Sequence, residues 1–275
     1  MTTVEVFAPA KINLTLHVTG QRADGYHLLD SLVVFADIGD TILAEPSDRL
    51  GLTLNGPQSG QLTADPDNLV LRAACLMAPD RHAALALTKR LPVASGIGGG
   101  SADAAATLRA LSRLWDLPLP AADAILTLGA DVPVCMDSAP CRMSGIGEIL
   151  APVPALPSMG ITLVNPGVSV STPSVFRALA SKTNPPMESR LPRWRDLGEF
   201  IAWLKTQRND LQVSAIAHQP VIERTLLALR QAGALHVGMS GSGATCFGLF
   251  APDGSGSQSM HDLPAHWWRA YGRVL

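Results

Sequence analysis

The segment Pro92-Val93-Ala94-Ser95-Gly96-Ile97-Gly98-Gly99-Gly100-Ser101-Ala102-Asp103 decides how this chain is read. Four glycines in five positions leave backbone N–H groups uncovered by side chains. They stand directly before an alanine-rich helical pattern with Leu108, Leu111 and Leu114 on one face, for which Ser101 is a suitable N-cap. N–H groups at the positive end of a helix dipole hold an anion without help from a basic side chain. A flexible turn or a close backbone crossing is the plain alternative, since glycine-rich turns are common.

Outward from this loop, strand and helix patterns mix along the chain. Val4, Val6, Ile12, Leu14, Leu16 and Val18 alternate at period two, and apolar stretches at 32–35, 41–44, 50–54 and 83–87 read as further strands. Helical spacing predicts a helix over Asn68–Ala78, stopped by Pro79, and another over Ala121–Leu128. Pro152, Pro154 and Pro157 mark a boundary, giving expected domains at 1–155 and 156–275. Beyond it, strands are expected at Ile161–Val164, Val237–Met239, Thr245–Phe250 and Trp267–Val274, with helices at Pro173–Leu179, Leu211–His218 and Val221–Ala232. The fold class expected is α+β.

The 275 residues are 47% hydrophobic and only 16% charged, which fits a well-buried globular chain. A formal net charge of −2 gives no general footprint for nucleic acid or an anionic membrane, so phosphate must be read locally. Lysine is scarce: Lys11, Lys89, Lys182 and Lys205 are the only four. Cys75, Cys135, Cys141 and Cys246 form no C-x-x-C pair and are expected to be reduced, buried thiols. Neither a secretory signal pattern nor about 18 consecutive apolar residues occurs, and a cytoplasmic protein is expected.

The letters also exclude several phosphate motifs. Ser101 stands where a dinucleotide-binding loop needs its third glycine, and no lysine follows a glycine as a Walker A loop requires. The H-R-D and D-F-G pair and the G-x-S-x-G elbow are missing too.

Pro92–Ala105 resembles the phosphate loop of the GHMP small-molecule kinases, P-x-x-x-G-[LI]-G-[GS]-[GS]-S-x-[DN]-A-[AG]. Four more blocks carry the resemblance: Ala8–Leu14 (APAKINL), Arg22–His27 (RADGYH), Leu128–Pro133 (LGADVP) and Ser240–Phe247 (SGSGATCF). The resemblance they carry extends over nearly the whole chain and is strongest to the branch acting on a cytidyl diphosphate alcohol. The resemblance implies a two-domain fold with its active site in the cleft between domains, and ATP and Mg²⁺ as cofactors. It places Asn68, Lys89 and Pro92, Val93, Ala94, Ser95, Gly96, Ile97, Gly98, Gly99, Gly100, Ser101, Ala102 and Asp103 around ATP, and makes Lys11 and Asp131 catalytic. Ala102 departs from the family, where a second serine is more frequent, and leaves Ser101 as the hydroxyl for phosphate or Mg²⁺; the metal ligands stay open. Asn13, Tyr26, His27, Thr172, Phe176, Gly241 and Ser242 are implied substrate contacts. The implied partner is a small cytidyl diphosphate alcohol, with no nucleic acid and no membrane, for a monomer or homodimer.

Each residue also has a plainer role. Asp131 and Asn68 suit helix N-caps, Lys11 a snorkelling strand lysine, Lys89 a solvated charge, Tyr26 and His27 an exposed turn, and Phe176 a core aromatic. Two other functions remain open from sequence: a kinase for another alcohol such as mevalonate, homoserine or a sugar, and a nucleotide- or RNA-binding module without catalysis.

Overall fold

Alternating apolar residues build the strands and 3.6-residue periodicity the helices, in an order that mixes the two throughout. The computed structural model describes residues 3–275. Along the chain run β1 (Val4–Asn13), β2 (His17–Gln21), β3 (His27–Pro46), β4 (Gly51–Asn55), α1 (Leu69–Met77), β5 (Ala83–Thr88), α2 (Gly99–Trp115), α3 (Ala122–Leu126) and α4 (Val132–Asp137). Then come β6 (Cys141–Gly145), β7 (Ile149–Pro152), β8 (Gly160–Asn165), α5 (Thr172–Arg177), α6 (Leu197–Leu204), α7 (Gln212–His218), α8 (Val221–Gln231), β9 (His236–Met239), β10 (Cys246–Phe250) and β11 (Trp268–Arg273). The class is α+β.

The chain divides into two compact units. The first comprises residues up to Lys11, Gly39–Val93 and Gly98–Ser138; the second comprises Ile12–Ile38, Ala94–Ile97 and Ala139–Leu275. In the first, the end of β3 pairs antiparallel with β5 (Thr41↔Thr88 to Pro46↔Ala83), and β5 pairs parallel with β4. Helix α2 buries Ala102, Ala104, Ala105, Ala106, Leu108 and Leu111, and small residues there allow close approach of α1 and α4. In the second, the start of β3 pairs with β2 and β6, and β6 pairs with β7. A four-stranded antiparallel sheet, in the order β11-β8-β10-β9, packs there against α8.

Several local expectations are corrected. Strand β3 runs unbroken for 20 residues, through the polar Asp37-Ile38-Gly39-Asp40 segment between the two apolar stretches. Its polar residues are satisfied by other segments: Asp37 accepts from the Arg273 amide at 2.6 Å, and Asp40 pairs with Lys89. Helix α2 starts at Gly99, with left-handed Gly98 at its N-cap, so Ser101 lies in the first turn and is not the cap. Cys135 and Cys246 are buried as expected, but Cys75 is exposed, because it lies on the outer face of α1. Helix α6 is missing from the sequence reading although Asp196, which accepts from the Glu199 amide at 2.9 Å, gives it a capping pattern.

Candidate functional site

The glycine loop and the first turn of α2 are shaped by backbone contact. In the first unit, a Cβ on Gly98 (φ +62°) would sit 3.1 Å from the Lys11 Cβ, so this glycine lies directly over the lysine stem. No side chain caps α2, and its first N–H groups have no intrahelical acceptor. Lys11, whose side chain is 4% exposed, is therefore no snorkelling residue. Its Nζ lies 2.8 Å from Asp131 Oδ2, while Asp131 stays 36% exposed. Asp131 occupies the N-cap position of α4 but makes no capping bond; its carboxylate goes to the lysine instead. The structure thus brings together a buried ammonium, an accessible carboxylate and the uncapped start of a helix.

Lys89 is not solvated either. Its Nζ donates to Asp40 Oδ2 (2.6 Å) and Asp103 Oδ2 (2.7 Å), and all three side chains are buried. Asp40 Oδ1 also accepts from the Arg90 and Leu91 amides, whereas Asp103 Oδ1 has no partner. Burial pushes the Asp103 carboxyl up to about 7, against the pull of Lys89. The two carboxylates hold the Lys89 ammonium above its ordinary value despite its burial. A Cβ on Gly99 would stand 3.0 Å from Nζ, which places this buried triad directly under the start of α2.

In the second unit, the middle of the loop is clasped by the Ser240–Thr245 turn. Ser240 Oγ donates to the Gly96 carbonyl at 2.8 Å, and the Thr245 amide donates to the Ser95 carbonyl at 3.1 Å. At Gly96 (φ +79°) a Cβ would fall 2.5 Å from the Ser240 carbonyl and 2.7 Å from that of Gly243. Gly96→Ala is therefore expected to cost about 1–3 kcal/mol through overlap with rigid backbone. A lowered denaturant midpoint together with a raised KM for ATP would show it; an unchanged midpoint would contradict it.

The implied substrate contacts lie in the same unit, whereas Asn68, Pro92, Val93, Gly100, Ser101 and Ala102 lie in the first. Asn13 donates its Nδ2 to Ser31 Oγ (2.8 Å) and its amide to Ser240 Oγ (3.1 Å), leaving a buried Oδ1 without a partner. Thr172 and Ser242 hydroxyls are 2.7 Å apart. His27 stacks on Phe176, centroids 4.6 Å apart, while Tyr26 is 58% exposed. Burial, helped by Lys182, lowers the His27 pKa, and its Nε2 is buried and unpartnered. Asn68, in the first unit, is the N-cap of α1, accepting from the Val70 amide at 3.0 Å, so its side-chain oxygen is engaged in capping.

Residues 68–145 match the family described as GHMP kinases N terminal domain, and residues 187–267 match GHMP kinases C terminal, together more than half of the chain. The chain belongs to the GHMP kinases. Among its relatives, the 4-diphosphocytidyl-2-C-methyl-D-erythritol kinase of Ruegeria pomeroyi is 67% identical, the match covering 99% of both chains. The kinase of that name from Jannaschia sp. is 50% identical, over 98% of this chain and 96% of its own. A solved 4-(cytidine 5'-diphospho)-2C-methyl-D-erythritol kinase superposes with a TM-score of 0.78 at 33% identity, covering 98% of each chain.

As a GHMP kinase, the protein is an ATP-dependent phosphotransferase. Among its described residues, no helix is long and apolar enough to cross a membrane, and no group of three or more His, Cys, Asp or Glu could hold a metal ion. Two contributors to this candidate site carry no clear signal in the sequence. Asp40 is one; a carboxylate inside an apolar strand was its only sign. Asn209 is the other: its Nδ2 donates to the Met239 (2.8 Å) and Gly241 (2.9 Å) carbonyls and fixes the glycine turn that holds Gly96. Nothing local marks that role.

Proposed function

We propose that this GHMP kinase transfers the γ-phosphoryl group of ATP to the 2-hydroxyl of 4-diphosphocytidyl-2-C-methyl-D-erythritol, a step of the non-mevalonate route to isoprenoid precursors. The observation that carries the chemistry is the Lys11–Asp131 pair, 2.8 Å long, under Gly98 at the start of α2. Phosphoryl transfer asks for neutralised phosphates, an oriented acceptor and a place for its proton. The uncapped N–H groups of α2 supply donors for phosphate oxygens. Asp131, partly exposed to solvent, accepts the proton of the acceptor hydroxyl; the buried Lys11 ammonium orients it.

With no cage of acidic ligands among the described residues, the site fits a Mg²⁺ ion carried on the nucleotide phosphates, which usually keeps most of its waters. Ser101, in the first turn of α2, is the hydroxyl that would bind it, since Ala102 has none. Such an ion supplies charge neutralisation between the phosphates.

The cytidyl assignment rests on the relatives and on the second unit. His27 is held neutral by burial, and its unpartnered Nε2 suits the polar edge of a base. The His27 and Phe176 rings already touch, so a base between them requires their separation, whereas exposed Tyr26 is free to stack from outside. Asn13 Oδ1 is a second buried acceptor awaiting a donor, and the Thr172–Ser242 hydroxyl pair and Gly241 complete the set.

ADP release measured with the cytidyl alcohol, mevalonate, homoserine and galactose in turn tests the reading. Turnover is expected with the first alone. Turnover with another alcohol would reassign the substrate, and nucleotide binding without ADP release from any of them would favour a non-catalytic module.

A further inference from the structure

Arg109 lies nearly three turns into α2, on the helix whose first turn forms the end of the glycine loop. Its half-buried guanidinium leaves that helix in two directions. Nη1 donates to the carbonyls of Cys135 (2.9 Å) and Met136 (2.7 Å) and approaches Ser138 Oγ (3.4 Å), all at the C-terminal end of α4. Nη2 donates to the Phe7 carbonyl (3.1 Å) in β1. Asp131 immediately precedes α4, and Lys11 lies four residues beyond Phe7 on β1.

A planar fork of five donors is suited to bridge two separate backbone segments, which a lysine cannot do with one point charge. The carbonyls it takes up at the end of α4 have no intrahelical donors, and a cation is favoured there. Helix α4 has only six residues and no side-chain cap at its start, so its place, and with it that of Asp131, depends on packing against α2 and α3 and on the Lys11 pair.

The geometry points to Arg109 as a positioning residue for phosphoryl transfer: it ties the phosphate-presenting helix to the two elements that carry Lys11 and Asp131. Arg109 itself touches neither group; it sets the distance between the helix start and the Lys11–Asp131 pair. The inference rests on the catalytic roles given above to those two residues.

Arg109→Lys and Arg109→Gln separate this role from simple architecture. A displacement of about 1 Å at reacting groups costs on the order of a hundredfold, so kcat is expected to fall roughly 10- to 100-fold. The dissociation constant for ATP and KM for the acceptor should stay within about twofold, since an interaction felt only in the transition state leaves ground-state binding alone. In an Asp131→Asn background, Arg109→Lys should lower the residual rate no further, because the group it positions is already disabled.

Near-normal kcat in both single variants would overturn the proposal. So would a loss of ATP affinity and melting temperature in step with the rate, an undiminished loss in the Asp131→Asn background, or failure of both variants to fold. A fully active Asp131→Asn would instead sink the catalytic assignment and this inference with it. That result is distinct from a crippled Asp131→Asn beside a full-rate Arg109→Lys, which rejects the positioning role alone.

Discussion

Asp131→Asn is expected to lower kcat by about 10²- to 10⁴-fold, the usual worth of a positioned general base, with KM for ATP nearly unchanged. The carboxylate is the accessible half of its pair, 36% exposed against 4% for Lys11, so the acceptor hydroxyl meets it first. On the proposed reading ATP is held by backbone N–H groups at the start of α2, which the substitution does not touch. Asparagine is the cleaner variant, because it fills the same space and keeps an amide oxygen to accept from the buried Lys11 ammonium, whereas alanine removes both. Steady-state kinetics with a parallel ATP-binding titration decide the matter. If turnover is near normal, Asp131 neither takes the proton nor orients the hydroxyl.

Lys89→Met should destabilise the protein by about 3–5 kcal/mol, the cost of breaking a buried ion pair from one side. Two carboxylates, Asp40 and Asp103, would face each other under the glycine loop with no cation between them. A lysine that merely touched ATP phosphates would give a different result: a raised KM at unchanged stability. The denaturant midpoint of the ligand-free protein separates the two. Adding Asp103→Asn to Lys89→Met should recover part of the loss, since it removes one of the two like charges.

The same cluster gives stability a pH dependence. Burial raises the Asp103 carboxyl to about 7 against the pull of Lys89, so ionising it costs the native state more than the unfolded chain. Its contribution is full below the ordinary carboxylate range and is lost as pH rises through about 7. Asp103→Asn alone should flatten that portion of the stability profile; an unchanged profile would place the titration elsewhere.

Local chemistry was legible where a residue's job is set by its neighbours in sequence. The glycine loop is such a case: left-handed Gly96 and Gly98 and the following alanine run state their conformations directly. Asn68 as a cap and α1, α7 and α8 were readable for the same reason. Burial of charge was not. Lys89 looks solvated until Asp40, 49 residues away, and Asp103, 14 residues away, close around it. Likewise Asp37 and Gly39 read as punctuation within β3, because their compensation comes from distant segments: Arg273 for the first, and for the second the Ala8 carbonyl, which a Cβ would meet at 2.3 Å. Arg109 gives no local sign at all, since its partners are backbone carbonyls 26, 27 and 102 residues away.

The clasp between the glycine loop and the Ser240–Thr245 turn also bears on the order in which the enzyme is made. Ser240 reaches back 144 residues to the Gly96 carbonyl, and Thr245 closes on Ser95. Synthesis proceeds from the N-terminus at about 5–20 residues per second, so for several seconds the ribosome-bound chain has its loop sequence without the segment that clasps it. The shape proposed to capture nucleotide therefore belongs to the nearly finished chain, and translation products truncated before this turn lack the backbone contacts that form the loop.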